Sequence, residues 1–126
     1  MPPGRTRVGV DVVEVARMQA LLSRRPAAAA RIFTAAEREW CSARGRPWEH
    51  YAARFAAKEA VRKALGRALP WDAVEVRRRR GEAPCLALGP VVAADGALVE
   101  AASLSLTHDG GVAIAVVVLE VRRPDP

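Results

Sequence analysis

Two carboxylates and a basic helix hold most of the residues in this chain that could do chemistry. Glu59 lies in residues 51–65, a stretch with no Gly or Pro and many helix formers, which predicts one long helix. Advancing about 100° per residue places Arg54, Lys58, Glu59, Arg62 and Lys63 in one half of the wheel, with only Ala and Val opposite. A single acid among four cations has two uses. It can pair with Lys63 one turn on, as solvated helix faces do, or it can hold a divalent cation beside a polyphosphate. Asp11 ends the short apolar stretch 8–11 and is a second carboxylate; taken alone, it reads as the cap of the following helix. Ser105-Leu-Thr-His108, before Asp109-Gly-Gly111, adds hydroxyls and an imidazole at a turn.

The elements that must position these groups can be read from spacing. Residues 8–11 form a short strand, and residues 12–22 have helical spacing, with Val15, Met18, Leu21 and Leu22 on one side. Pro26 breaks that run, and a short helix follows over 27–33. Thr34-Ala-Ala-Glu37 is a capping box that starts a helix over 35–43. Arg44-Gly-Arg-Pro47 stops it, and the long helix then runs to Gly66. Beyond Pro70 the period becomes that of strands. A hairpin turns at Gly81-Glu-Ala-Pro84, and two further strands over 98–107 and 112–121 are joined through His108-Asp-Gly-Gly111. The expectation is one α+β domain over 1–126, with helices from the N-terminal half on a small antiparallel sheet from the C-terminal half and a frayed tail over 122–126.

Composition narrows the function classes. A chain of 126 residues with net charge +6 is one basic domain suited to an anionic partner. Ala and Val supply most of its apolar side chains, a thin core that self-association would supplement. The six aromatic residues, three Trp, two Phe and one Tyr, offer few platforms for stacked bases. Cys41 and Cys85 form no metal-type cluster with His50 and His108 and read as small apolar fillers. No run reaches membrane-spanning length, and no secretory signal is seen, so the expected location is the cytoplasm.

In order along the chain stand Val8-Gly-Val-Asp-Val-Val-Glu-Val-Ala-Arg17, Phe33-Thr-Ala-Ala-Glu37, Ala53-Arg-Phe-Ala-Ala-Lys-Glu-Ala60 with Lys63-Ala-Leu-Gly66, Gly81-Glu-Ala-Pro84, and residues 103–115. Together they resemble the holo-acyl-carrier-protein synthases, the small class of the 4′-phosphopantetheinyl transferase superfamily, over nearly the whole chain. The resemblance implies transfer of phosphopantetheine from coenzyme A to a serine of an acidic apo acyl carrier protein, with release of 3′,5′-ADP. It implies Asp11 and Glu59 as magnesium ligands, and Lys63 at the diphosphate or the leaving phosphate. Arg54, Lys58, Thr107 and His108 become contacts to coenzyme A, and Gly66 a point where adenine approaches the backbone. Asp11, Glu59 and Lys63 are then the catalytic group. Arg17, Met18, Arg24 and Arg25 on the first helix form a docking strip for the carrier protein. The resemblance also implies a homotrimer with active sites between neighbouring chains. The acceptor would be a carrier protein of fatty-acid, polyketide or another pathway.

A different class of function competes. The run Arg77–Arg80 and the charge suit a small nucleic-acid-binding module, whose affinity would fall steeply with salt. That reading has no use for Asp11 and Glu59.

Overall fold

Alternation is strongest in the last long strand. Ala113, Ala115, Val117, Leu119 and Val121 are all buried, with the residues between them half-buried or exposed, the period of a sheet with one covered face. The computed structural model describes residues 5–123; the first four residues and residues 124–126 of the expected tail lie outside that range. Its elements are β1 (Arg5–Glu14), α1 (Val15–Arg24), α2 (Pro26–Ile32), α3 (Ala35–Ser42), α4 (Pro47–Leu65), a 3-10 turn (Trp71–Ala73), β2 (Val74–Arg77), β3 (Cys85–Leu88), β4 (Leu98–Asp109) and β5 (Val112–Arg122). β5 is the centre of an antiparallel sheet ordered β1-β5-β4, and β2 and β3 form a separate hairpin.

The α+β class is as expected, but the sheet does not come from the C-terminal half alone. The strand expected at 8–11 extends over Arg5–Glu14 and pairs with β5 along its whole length, so the first helix starts at Val15 rather than at residue 12. Val10, Val12 and Val13 are β-branched and gain cross-strand partners that outweigh a weak helical period. At the other end Arg122 still belongs to β5, so the chain is regular one residue into the expected tail.

α4 lies across the inner face of the sheet, with its Ala residues toward it. Ala56, Ala57, Ala60 and Ala64 belong to the same buried cluster as Ala115, Val117 and Leu119. The approach is closest at Gly9, where an added Cβ would stand 1.9 Å from the carbonyl oxygen of Ala60. Any side chain there would push helix and strand apart. The other side of α4 is not solvated as the wheel suggested: α3 and β2 pack there and bury Arg54 and Lys58.

Both ends of the helical region use the expected chemistry. Thr34 Oγ1 accepts from the Glu37 amide at 3.2 Å, and Glu37 Oε1 accepts from the Thr34 amide at 2.9 Å, closing the capping box. Pro47 opens α4, and Gly66 ends it in the left-handed region at φ 67°. Among the described residues no helix is long and apolar enough to cross a membrane.

Candidate active site

The C-terminal half of β1, α1 and the middle of α4 enclose a cavity of about 620 Å³, and both Asp11 and Glu59 line it. Asp11 alternates inward on β1 beside Gly9 and Val13, so its carboxylate faces α4 and its side chain is only 15% exposed. Lys63 Nζ donates to Asp11 Oδ1 at 2.8 Å and to the Val10 carbonyl at 3.2 Å. The hydrogen bond and the charge of Asp11 hold the Lys63 ammonium above its ordinary pKa. The helical Glu59–Lys63 pair is therefore replaced: Lys63 crosses to β1, and Glu59 lies 3.5 Å from Arg62. Arg62 is held in turn by the Trp71 ring at 3.4 Å and by the Leu69 carbonyl, which fixes one wall beside Glu59.

Glu14 is a third acid on the wall of this cavity but forms no ligand cluster with Asp11 and Glu59. Among the described residues no group of three acid, His or Cys ligands could hold a metal alone. The donor set fits magnesium, which is bound through one or two carboxylates and completes its shell with water and substrate phosphate. Around the same cavity Arg17, Arg24 and Arg25 are exposed. Met18, expected on that docking strip, turns inward and is 3% exposed in the core with Leu22 and Phe33. Its apolar side chain lies on the covered side of α1, while the arginines keep their heads in water.

A second cavity of about 690 Å³ opens between the end of α3, the middle of α4 and the β2–β3 hairpin. Its walls include Arg54, which is 2% exposed yet has no partner for Nε or Nη2. Burial lowers the pKa of that guanidinium from its ordinary value. Trp40 stands at the centre, with Arg44 3.9 Å, Arg54 5.8 Å and Arg78 5.9 Å from its ring centroid. The cavity's five arginines outnumber its acids Glu39, Glu75 and Glu82. The three cations round one indole, one with buried unpaired donors, suit an anion such as phosphate. The sequence singled out Arg54, and Arg78 only within the run Arg77–Arg80, but not Trp40 or Arg44. The i,i+4 spacing of Trp40 and Arg44 was the available signal.

Lys58 does not fit a phosphate contact. Its ammonium lies 2.9 Å from Glu37 Oε1 and donates to the carbonyls of Trp71 and Val74, with the side chain 1% exposed. Glu37 Oε2 meanwhile accepts from the Val76 amide at 2.9 Å. One buried pair thus joins α3, α4 and β2, and all its donors and acceptors are used inside the fold.

Thr107 lies in the strand expected over 98–107, while His108, expected in the loop, differs. They belong to β4 itself, and Gly110 and Gly111, both at positive φ, make the loop to β5. Strand alternation turns them to opposite faces. His108 lies on the α4 side, with Nδ1 3.2 Å from Glu49 Oε2 and its ring 5.8 Å from that of His50. Neither Thr107 nor His108 lines either cavity of its own chain. Gly66 is the left-handed cap of α4, where an added Cβ would stand 3.6 Å from the Ala94 side chain.

Residues 7–117 match the model of the 4′-phosphopantetheinyl transferase superfamily, and the chain belongs to that family. It is 52% identical to the holo-[acyl-carrier-protein] synthase of Anaeromyxobacter dehalogenans, across 93% of this chain and 97% of that one. The corresponding synthase of Frankia alni is 54% identical, across 90% and 95%. Among solved structures, the ACPS–CoA complex of Chronobacterium ammoniagenes superposes with a TM-score of 0.77 at 29% identity, covering 94% of this chain and 99% of that one.

Replacing Lys58 with Met leaves Glu37 buried without its cation, which costs about 3–5 kcal/mol. Urea unfolding should show that loss, with most of it restored by adding Glu37→Gln. A stable Lys58→Met protein with weakened coenzyme A binding would return Lys58 to the ligand site.

Proposed function

We infer that this chain transfers the 4′-phosphopantetheine of coenzyme A to a serine hydroxyl of an apo acyl carrier protein, releasing 3′,5′-ADP. The observation that carries this is the meeting of Asp11 and Glu59 on one cavity edged by arginines, in a member of this family. Phosphoryl transfer needs charge neutralisation and in-line placement more than covalent help. Asp11 and Glu59 would hold the magnesium ion, which supplies Lewis-acid neutralisation of the diphosphate when bound. The serine oxygen forms a bond to the β-phosphorus while the bond from that phosphorus to the oxygen of the departing nucleotide breaks. Glu59 takes the serine proton, and Lys63, released from Asp11, offsets the charge growing on the leaving phosphate.

The second cavity suits the phosphorylated adenosine end of coenzyme A. Arg54 provides the unpaired buried donors, and Arg44 and Arg78 add charge. The exposed Arg17, Arg24 and Arg25 would steer an acidic carrier protein to the first cavity. The nucleic-acid reading loses support, because Arg77 in that exposed run is paired with Glu75 at 2.6 Å and the relatives are synthases.

Assembly as a homotrimer is supported by the uncovered face of the sheet. Val8, Val10 and Val12 are 61, 50 and 57% exposed beside Val116, an apolar surface that a second copy would bury. Thr107, on that face, and His108, at the sheet's end, would then complete a neighbour's site. The absence of a membrane-spanning helix among the described residues accords with work in the cytoplasm.

Incubation with apo acyl carrier protein, coenzyme A and magnesium should add one phosphopantetheine group to the carrier in intact-mass spectra. Loss of a proton acceptor and metal ligand in Glu59→Gln should slow the gain by at least about 100-fold, and EDTA should stop it. An unmodified panel of carrier proteins would overturn the assignment. Light scattering should show a trimer that Val10→Lys splits into inactive monomers; an active monomer would contradict the shared site.

A further inference from the structure

The second cavity contains a group that the transfer reaction does not use. Cys85, the first residue of β3, is an exposed free thiol and lines the cavity whose wall holds the unpartnered Arg54. It stands directly across the hairpin from Arg77, on the same face of the two strands. Arg78 lines the same cavity. The other cysteine cannot substitute for it: Cys41 is fully buried, and desolvation pushes its thiol up to about 12. The chain therefore has one accessible thiol, at the edge of a cavity lined by five arginines and three glutamates.

We propose that Cys85 is a site of reversible modification by small anionic disulfides, of the glutathione-disulfide class, drawn in by the arginines of the cavity. The Cys85 thiolate, its proton lost to water, attacks one sulfur of the disulfide. A new bond from Cys85 sulfur to that sulfur forms as the disulfide bond breaks, and the second half leaves as a thiolate that water reprotonates. No oxidant beyond the disulfide is needed. The arginines act on the reagent by raising its local concentration, an effect that salt screens. The adduct puts an anionic group where the phosphorylated adenosine would lie, so transfer stops until a thiol removes it. This last step rests on the assignment of the second cavity to coenzyme A; the modification itself does not.

The test compares two disulfides, dianionic dithiobis(nitrobenzoate) and neutral dithiodipyridine, each referred to its rate with free mercaptoethanol. At low salt the corrected preference for the dianion should be about tenfold, the size of a modest electrostatic steering effect. It should fall toward unity in Arg77→Ala/Arg78→Ala and in high salt. Peptide mapping should place the label on Cys85, and Cys85→Ser should remain unlabelled in the native state. Saturating 3′,5′-ADP should slow the reaction. Preference without protection would keep the modification site but remove the nucleotide from this cavity. Absence of preference, or label on Cys41, would overturn the proposal whether or not the nucleotide protects.

Discussion

The contact between α4 and β1 at Gly9 sets the geometry of everything else. A helix with Ala56, Ala57, Ala60 and Ala64 on one side can lie closer to a sheet than one carrying Leu. Without a Cβ at residue 9 there is room for the Ala60 carbonyl. That close approach puts Asp11, two residues along β1, opposite the helix turn that holds Glu59 and Lys63. The thin core anticipated from composition is thus also a short lever: small side chains bring two charged surfaces to hydrogen-bonding distance.

The cations of α4 divide according to what packs over them. Lys58 is enclosed by α3 and β2 and is satisfied by Glu37 and two carbonyls, so it stabilises the scaffold. Arg54, one turn earlier, is equally buried but leaves two donors without a partner beside the second cavity. Arg62 is stacked on Trp71, and Lys63 reaches β1. Burial with satisfied donors marks a structural group, and burial with open donors marks a receptor. The first identifies Lys58 and the second Arg54, although the two lie in one motif and carry the same charge.

Much of this was legible in the sequence. Local signals with a stereochemical cause were read correctly: the Thr34–Glu37 capping box, the break at 44–47, the Gly66 stop of α4, and the hairpin turning at 81–84. Asp11 and Glu59 were identified through their motifs, and both line the first cavity. The errors came where tertiary partners decide. The helical period after residue 11 gave way to pairing with β5. The wheel of α4 grouped Lys58 and Arg54 on one charged half, and a single helix cannot reveal that α3 and β2 cover them. Met18 followed its apolar neighbours inward for the same reason. Trp40 and Arg44, one turn apart at the end of α3, and Arg78, just after β2, form a cavity only once α3 and the hairpin converge.

The central claim is that helix α4 and strand β1 each contribute one carboxylate to a single divalent-cation site. Electron paramagnetic resonance of manganese, titrated with 3′,5′-ADP present, reads that site without turnover. Wild-type protein should bind one ion per chain, with binding weakened at least about tenfold in Asp11→Asn and in Glu59→Gln, as expected when a metal loses a ligand or its support. The double variant should be little worse than either single one. Unchanged manganese affinity in the double variant would contradict the shared site and leave the two acids as unrelated surface charges.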